Sequence, residues 1–228
     1  MNTQVSIGMP HLLGNSEINL NHLAKITGDI HWNIQCKSPV DFYKNGKRVY
    51  NSFLKIAFDI SDTFSEGNKF TISSSGKQLD DYIYQTTHNF LNSSISMYTI
   101  GIHVEDHKII KTTTTGKKSN NFWKLFREEK KSIDFDKIYN TRSYKTCYLT
   151  DFNSAGILYC ANYINFAYRY MNDIGIFQDI QTLYFFGNIT PNEQIKIGQE
   201  GANLIMLNSQ NQPIAKFNLH ANYIKENV

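Results

Sequence analysis

The chain has 228 residues, enough for one large domain or two of ordinary size. Its 41% hydrophobic content is normal for a globular protein, and 14 tyrosines with 15 phenylalanines favour a β-rich core. A formal net charge of +3 is too small to indicate nucleic-acid binding, and no apolar run reaches the roughly 18–20 residues of a membrane span. We therefore expect neither nucleic acid nor a membrane as a partner.

The three cysteines, Cys36, Cys147 and Cys160, have the spacing of neither a disulfide framework nor a metal motif. The first residues lack the basic segment and apolar run of a signal peptide. These features predict buried thiols in a reducing compartment, a cytoplasmic location, and no metal.

Two long helices are predicted from apolar residues that recur at helical spacing. The first covers about 16–35, with Asn15 or Ser16 as its N-cap, and the second covers about 155–173. Strands are predicted after each helix, at 48–60, 68–75, 80–90, 94–105 and 107–115, and again at 180–187, 193–199, 202–208 and 213–223. Asn45-Gly46 and the residues before Pro213 mark hairpin turns. The chain thus repeats one pattern of strand, helix and antiparallel strands, without a visible sequence repeat.

A charged segment separates the two halves and includes Lys117, Lys118, Lys124, Arg127 and Lys130. We expect a first domain at 1–116, a linker at 117–140 and a second domain at 141–228. The linker is interpreted as solvated, or else as a basic docking patch for an acidic carrier protein or for the phosphates of coenzyme A. Trp123 and Phe126 indicate that part of it packs against the protein.

The most informative stretch is at 151–163 and reads Asp-Phe-Asn-Ser-Ala-Gly-Ile-Leu-Tyr-Cys-Ala-Asn-Tyr. Here an acidic residue at a predicted strand end, Asp151, is followed by a turn with Gly156 and then by a predicted helix. The first N–H groups of a helix lack intrahelical partners and carry the positive end of its dipole, so they can polarise a carbonyl oxygen. Asp151 would act beside them as base or nucleophile. As a purely structural alternative, the Asp or an Asn only caps the helix.

This stretch resembles the signature of hot-dog-fold acyl-thioester enzymes of the hydroxybenzoyl-CoA thioesterase type, in which it opens the long central helix. The resemblance implies an α+β fold in which an antiparallel sheet wraps one helix. Because the pattern occurs twice, we expect a double hot-dog.

A second set of motifs spans most of the chain: Gly8-Met9-Pro10, Asn15-Ser16-Glu17, Gly28-Asp29-Ile30-His31-Trp32, Arg48-Val49-Tyr50-Asn51-Ser52-Phe53 and Tyr184-Phe185-Phe186-Gly187-Asn188. Their order is similar to that of the double-hot-dog family of the leinamycin-pathway bifunctional acyltransferase/decarboxylase and related polyketide-cluster proteins. The resemblance implies transfer of a malonyl- or methylmalonyl-type acyl group from acyl-CoA, through an acyl-tyrosine at Tyr50 and with decarboxylation, to an acyl carrier protein.

Acyl-thioester chemistry requires no cofactor beyond the CoA thioester that serves as substrate. His31 or His11 would lower the pKa of the Tyr50 phenol. Asn153, Asn162, Asn188 and the N–H of Gly156 would bind the substrate carbonyl or carboxylate. Two alternatives stay open: a thioesterase centred on Asp151, and a non-catalytic or dehydratase-like hot-dog that binds an acyl carrier. A homodimer is a further arrangement open to such a chain.

Overall fold

The computed structural model divides into two compact units, Met1–Asn120 and Asn121–Val228. It describes the chain in eight segments: 1–8, 12, 18–35, 43–44, 47–105, 108–111, 121–153 and 156–220.

The described residues of the first unit form one long helix and eight strands. The helix is α1 (Leu20–Gln35), and the strands are β1 (Asn2–Ser6), β2 (Tyr43–Lys44), β3 (Lys47–Arg48), β4 (Tyr50–Asp59), β5 (Lys69–Gln78), β6 (Ile83–Phe90), β7 (Ser93–Glu105) and β8 (Lys108–Lys111). An antiparallel sheet runs in the order β1-β5-β6-β7-β4, and β8 also pairs with β7. The expected hairpin at Asn45-Gly46 is flanked by the paired strands β2 and β3, while the two turn residues lie outside the described segments.

The helix α1 packs on this sheet against β5, β6 and β7. Its buried residues recur every three or four positions, as in an amphipathic helix: Leu20, Leu23, Ala24, Thr27, Ile30 and His31, together with Asn21. The N-cap was predicted at Asn15 or Ser16, which lie outside the described segments. The described helix begins later, because the Asn19 side chain accepts a hydrogen bond from the N–H of Asn21 at 3.0 Å.

Helix and sheet approach each other closely at Gly76 of β5. A Cβ atom at this position would lie 2.9 Å from a methyl carbon of Ile34 and would also collide with the hydroxyl of Tyr84. A glycine here is therefore a packing requirement of the helix–sheet interface.

The second unit contains α2 (Asn121–Lys131), a 3-10 turn at Phe135–Lys137, β9 (Tyr139–Lys145), α3 (Tyr148–Asp151), α4 (Cys160–Ile174), β10 (Ile180–Phe185), β11 (Gln194–Glu200), β12 (Asn203–Leu207) and β13 (Pro213–Leu219). Its antiparallel sheet runs in the order β10-β13-β12-β11-β9. The turn predicted before Pro213 is confirmed, with Asn211 in the left-handed region at a φ of 58°.

The two sheets share one connectivity. Of the five strands in each of these sheet orders, one precedes the long helix and four follow it, and the first of those four stands last in the order. The order β1-β5-β6-β7-β4 in the first unit corresponds strand by strand to β9-β11-β12-β13-β10 in the second. The repeated pattern of strand, helix and antiparallel strands is thus confirmed, although the sequences of the halves differ.

The two faces of the second sheet carry different helices. Phe185 contacts Tyr163 of α4 at a ring distance of 5.0 Å, whereas the neighbouring Tyr184 and Phe186 contact Phe126 of α2 at 6.3 and 5.4 Å. Because side chains alternate along a strand, α4 and α2 lie on opposite faces. The charged segment at 121–131, inside the predicted linker, is thus a helix that covers the second sheet.

Candidate active site at the start of the second long helix

The described residues between α3 and α4, 152–153 and 156–159, are held together by their own polar groups. Phe152 and Leu158 form an antiparallel bridge. The N–H of Asn153 donates to the carbonyl of Ile157 at 2.9 Å, and the N–H of Ile157 donates to the Asn153 side-chain oxygen at 3.1 Å. Gly156 turns the chain at a φ of 71°, a conformation that favours glycine.

The structure of this segment corrects three sequence predictions. The helix expected at 155–173 begins at Cys160, with Tyr159 as N-cap, because the loop places three residues between Gly156 and the first helical turn. The Gly156 N–H donates to the carbonyl of Asn153 at 2.9 Å, so it is already used inside the loop. Asp151 was predicted at a strand end, but it closes the short helix α3.

Asp151 is held against the first turn of α4 through its main chain. Its carbonyl oxygen accepts hydrogen bonds from the N–H of Tyr159 at 2.9 Å and from Nδ2 of Asn162 at 3.0 Å. Its half-buried carboxylate accepts from the N–H of Cys147 at 2.7 Å and from the Thr150 hydroxyl at 3.2 Å. The main-chain carbonyl of Asp151 is thus bonded at the start of the 15-residue helix α4, where the positive end of its dipole lies, whereas the carboxylate is bonded at the start of α3.

The three predicted asparagines lie around the same loop, and each is used in holding it. Asn162 is buried and donates to the carbonyls of Thr150 and Asp151, while its own side-chain oxygen accepts from Asn165. The side-chain oxygen of Asn188 accepts from the N–H of Leu158 at 3.1 Å. The structure therefore brings Asp151, Asn153, Gly156, Asn162 and Asn188 together in one unit.

Cys147 was expected to be a buried thiol and is exposed instead, because it is the N-cap residue of α3. A hydrogen bond from the Thr150 side chain and backbone N–H groups lowers the pKa of this thiol. Cys160 is buried as expected, and Cys36 lies outside the described segments.

His31 lies in the interior of the first unit, only 1% exposed. Its Nδ1 shares a hydrogen bond with the Thr86 hydroxyl at 2.7 Å, and its Nε2 shares one with the Thr99 hydroxyl at 2.9 Å. Burial, reinforced by the nearby His88, lowers the pKa of His31 to about 3. The His31 side chain is therefore neutral, and both of its ring nitrogens are hydrogen-bonded to threonine hydroxyls. These two facts favour a structural role over activation of a phenol.

His31 belongs to a buried hydrogen-bonded chain that runs Thr99–His31–Thr86–His88–Ser74, from β7 through α1 to β6 and β5. Burial also lowers the pKa of His88, to about 4. His88 and its hydrogen-bond partners Thr86 and Ser74 were not identified from the sequence. The sequence feature that could have indicated them is the presence of two polar residues, Thr86 and His88, at alternating core-facing positions of β6.

Tyr50, predicted to be the acyl-carrying residue, is the first residue of β4 and pairs with Ile102 of β7. It is half-buried and belongs to the first unit, whereas the Asp151 loop belongs to the second. His11, the other candidate activator, lies outside the described segments, as do Met9 and Pro10.

Within the described part of the chain, no three His, Cys, Asp or Glu side chains are grouped as metal ligands. None of the helices that the structure describes is long and apolar enough to cross a membrane.

Comparison with known proteins gives a match in structure alone. No protein-family model and no curated protein sequence matches the chain. Among solved structures, an acyl-ACP thioesterase from Bacteroides thetaiotaomicron VPI-5482 is similar over 96% of both chains, with a TM-score of 0.70 and 7% identity. A 12:0-ACP thioesterase from Umbellularia californica is similar over 96% of this chain and 92% of its own, with a TM-score of 0.72 and 5% identity. At such low identity the likeness shows the fold, and the predicted α+β class with two tandem hot-dog units is confirmed.

Proposed function

We propose that this chain hydrolyses acyl thioesters carried by an acyl carrier protein or by CoA, with Asp151 as the general base. The observation that carries the proposal is the attachment of Asp151 to the first turn of α4 by Tyr159 and Asn162. Two structures of this fold that match nearly the whole chain are acyl-ACP thioesterases, which supports the substrate class.

In the proposed reaction, the Asp151 carboxylate accepts a proton from a water molecule as that water attacks the thioester carbonyl carbon. The carbonyl oxygen takes on negative charge, which the positive end of α4 stabilises together with Nδ2 of Asn188. The C–S bond then breaks, the sulfur leaves as a thiol with the proton held by Asp151, and the free acid remains. The Asn188 oxygen is already bonded to Leu158, an arrangement that fixes which end of its amide faces outward.

The loop hydrogen bonds serve this chemistry by holding the carboxylate in position. Backbone groups in an irregular loop lack the regular hydrogen-bond partners of a helix or sheet. Here the side-chain amides of Asn153, Asn162 and Asn188 take the place of those partners. Catalytic groups gain rate when their rotamers and main chain are fixed before the substrate arrives.

Acyl transfer through Tyr50, with decarboxylation of a malonyl-type group, is the competing proposal. It needs an activator for the phenol, and both ring nitrogens of His31 are bonded to threonine hydroxyls. Hydrolysis at Asp151 needs no partner of that kind, so the geometry supports it better. A non-catalytic acyl-carrier-binding role is the third proposal.

One set of variants separates the three proposals. Asp151→Asn keeps an oxygen for the Cys147 N–H but removes the base, so kcat for dodecanoyl thioesters should fall about 10²–10⁴-fold. Tyr50→Phe should leave hydrolysis nearly intact. Asp179→Asn, an exposed change in the same unit, is the matched control and should retain activity.

The opposite pattern would reject hydrolysis at Asp151. Loss of activity in Tyr50→Phe, with an acyl adduct of the wild-type chain in intact-mass spectra after incubation with malonyl- or methylmalonyl-CoA, would support the acyl-tyrosine route. No turnover and no adduct with any of these thioesters would support the non-catalytic role.

A further inference from the structure

The exposed surface of α2 carries more positive than negative charge. The helix contains four basic residues and two acidic ones. One of the acids, Glu129, forms a 2.9 Å ion pair with Lys216, a β13 residue whose side chain is only 7% exposed. The charge of Glu129 is therefore largely compensated by the buried Lys216 of the sheet. The four basic residues of the helix are exposed: Lys124, Arg127, Lys130 and Lys131.

The remaining acid, Glu128, keeps its charge on the exposed surface, which is left with four basic residues against one acid. Glu128 lies 3.9 Å from Lys124, and the two side chains are 55% and 75% exposed. An ion pair this long and this solvated contributes almost nothing, so both side chains remain free to reorient toward a partner.

Leu125 lies among these charges and is 58% exposed. The other large apolar residues of α2 face the sheet: Trp123 is buried, and Phe126 contacts Tyr184 and Phe186. The helix thus presents a rigid basic surface with a single apolar side chain, held in place by an aromatic cluster on its other side.

This surface is connected to the candidate site through one strand end. Lys130 lies over the ring of Phe186, 5.9 Å from its centroid. Gly187 follows, and its carbonyl accepts a hydrogen bond from the Tyr163 hydroxyl of α4 at 3.2 Å. The next residue is Asn188, which bonds to the Asp151–Cys160 loop through Leu158.

We propose that the exposed face of α2, formed by Lys124, Leu125, Arg127, Glu128 and Lys131 and carrying three basic residues against one acid, is the docking surface for an acidic acyl carrier protein. This inference rests on the proposed hydrolase function and names the partner surface of the same site. Lys124 and Lys131 are seven residues apart, about 10 Å along the axis, so the face matches a protein helix with several carboxylates. A carrier presents its thioester on a flexible arm, and the proposal requires this arm to pass the edge of the sheet, because the Asp151 loop adjoins α4 on the face opposite to α2.

Charge and apolar content favour this partner over other anionic partners. A helix that binds a membrane surface leaves a broad apolar face to insert, whereas the apolar face of α2 is used against the sheet. The phosphates of coenzyme A would use the basic side chains but not the exposed Leu125, and this alternative is distinguished by the experiment below.

The experiment compares two double variants with the same change in charge. Lys124→Glu with Lys131→Glu alters the proposed surface, and Lys69→Glu with Lys77→Glu alters exposed residues of β5 in the first unit. Each is assayed with a dodecanoyl group on a holo acyl carrier protein and with the same group on CoA, after thermal unfolding has confirmed that it is folded. The α2 variant should raise KM for the carrier substrate about tenfold or more, with kcat and the KM for dodecanoyl-CoA unchanged.

Three results would overturn the docking proposal. They are an unchanged KM for the carrier substrate in the α2 variant, an equal rise for the CoA substrate, or an equal rise in the β5 variant. The equal rise for the CoA substrate would instead assign the surface to CoA phosphates.

Direct binding of the holo carrier protein, measured by calorimetry without turnover, separates this inference from the hydrolase function. A wild-type chain that hydrolyses dodecanoyl-CoA but does not bind the carrier disproves docking alone. A chain that binds the carrier through α2 but cleaves no thioester supports docking and disproves hydrolysis.

Discussion

Acidification should destabilise the first unit through its two buried histidines. In the unfolded chain each histidine has a pKa near 6.5. In the folded chain, burial lowers the pKa of His31 to about 3 and that of His88 to about 4. Between those values the unfolded chain holds protons that the folded chain excludes. The stability that the neutral pair contributes is therefore complete above pH 6.5 and is lost progressively as the pH falls toward 4.

The size of the effect follows from linkage. At pH 5, about 1.5 units below the unfolded pKa, each histidine costs about 2 kcal/mol relative to pH 7.5, at about 1.4 kcal/mol per unit. The pair together should cost about 4 kcal/mol, a large part of the 5–15 kcal/mol of a typical domain. The Thr–His–Thr–His–Ser chain contains no carboxylate that would stabilise a protonated ring.

Urea unfolding at pH 7.5 and pH 5 measures this difference. The chain has two tryptophans, Trp32 in α1 and Trp123 in α2, so Trp123→Phe leaves a fluorescent reporter in the first unit alone. In that background His88→Gln should halve the loss between the two pH values. His220→Gln, which changes an exposed side chain after β13, is the control and should not alter it.

Because each variant is compared with itself at two pH values, its own destabilisation cancels. A wild-type loss below 1 kcal/mol, or the same loss in His88→Gln as in the wild type, would refute the account of a neutral buried pair.

Three further changes test the packing and the loop. Gly76→Ala should lower the unfolding free energy by about 1–3 kcal/mol in denaturant titration, because the added methyl meets Ile34. Glu129→Gln should lower the unfolding free energy by about 2 kcal/mol, because it leaves the charge of Lys216 without its carboxylate partner. The loss is smaller than for a fully buried pair, since the Ser132 hydroxyl still accepts a hydrogen bond from Lys216. Adding Lys216→Met should restore part of that free energy. Asn188→Ala should lower kcat for thioester hydrolysis about tenfold or more and also disturb the loop locally, since Leu158 loses its acceptor and the oxyanion loses a donor; unchanged turnover would remove Asn188 from the site.

Much of the fold was predictable from periodicity. Both long helices were identified from recurring apolar residues, and nine strands were placed within a few residues of β4–β8 and β10–β13. The strands that precede the two long helices were expected from the repeated pattern but could not be placed, because they lack that signal. In β9 only Tyr144 is buried, so no alternation of apolar residues marks it, and β1 is a short strand with Val5 as its single buried residue.

Helix α2 was missed for a different reason. Its sequence is dominated by charge, with a short aromatic stripe at Phe122, Trp123 and Phe126. Only the sheet face that it covers, with Tyr184 and Phe186, shows that this stripe has a partner. Contacts between residues about 60 positions apart are not visible in a local pattern.

The candidate site was predicted in its members but not in its geometry. The motifs at 151–163 and 184–188 located Asp151, Asn153, Gly156, Asn162 and Asn188, which the structure brings together, whereas the predicted catalytic residues Tyr50 and His31 belong to the first unit. What the sequence could not show is that Gly156 turns a loop before the helix begins, because glycine is equally compatible with a helix N-terminus and with a left-handed turn.

The same contacts explain why a catalytic motif and a structural one look alike here. A loop of this kind has backbone groups without regular partners, and Asn153, Asn162 and Asn188 satisfy them with side-chain amides. Removing any of the three would therefore disturb both loop and activity, and would not by itself identify a chemical role. Asp151 differs, since its main chain makes the contacts to α4 while its carboxylate can be changed to an amide of the same shape. Asp151→Asn is for that reason the substitution that separates chemistry from architecture at this site.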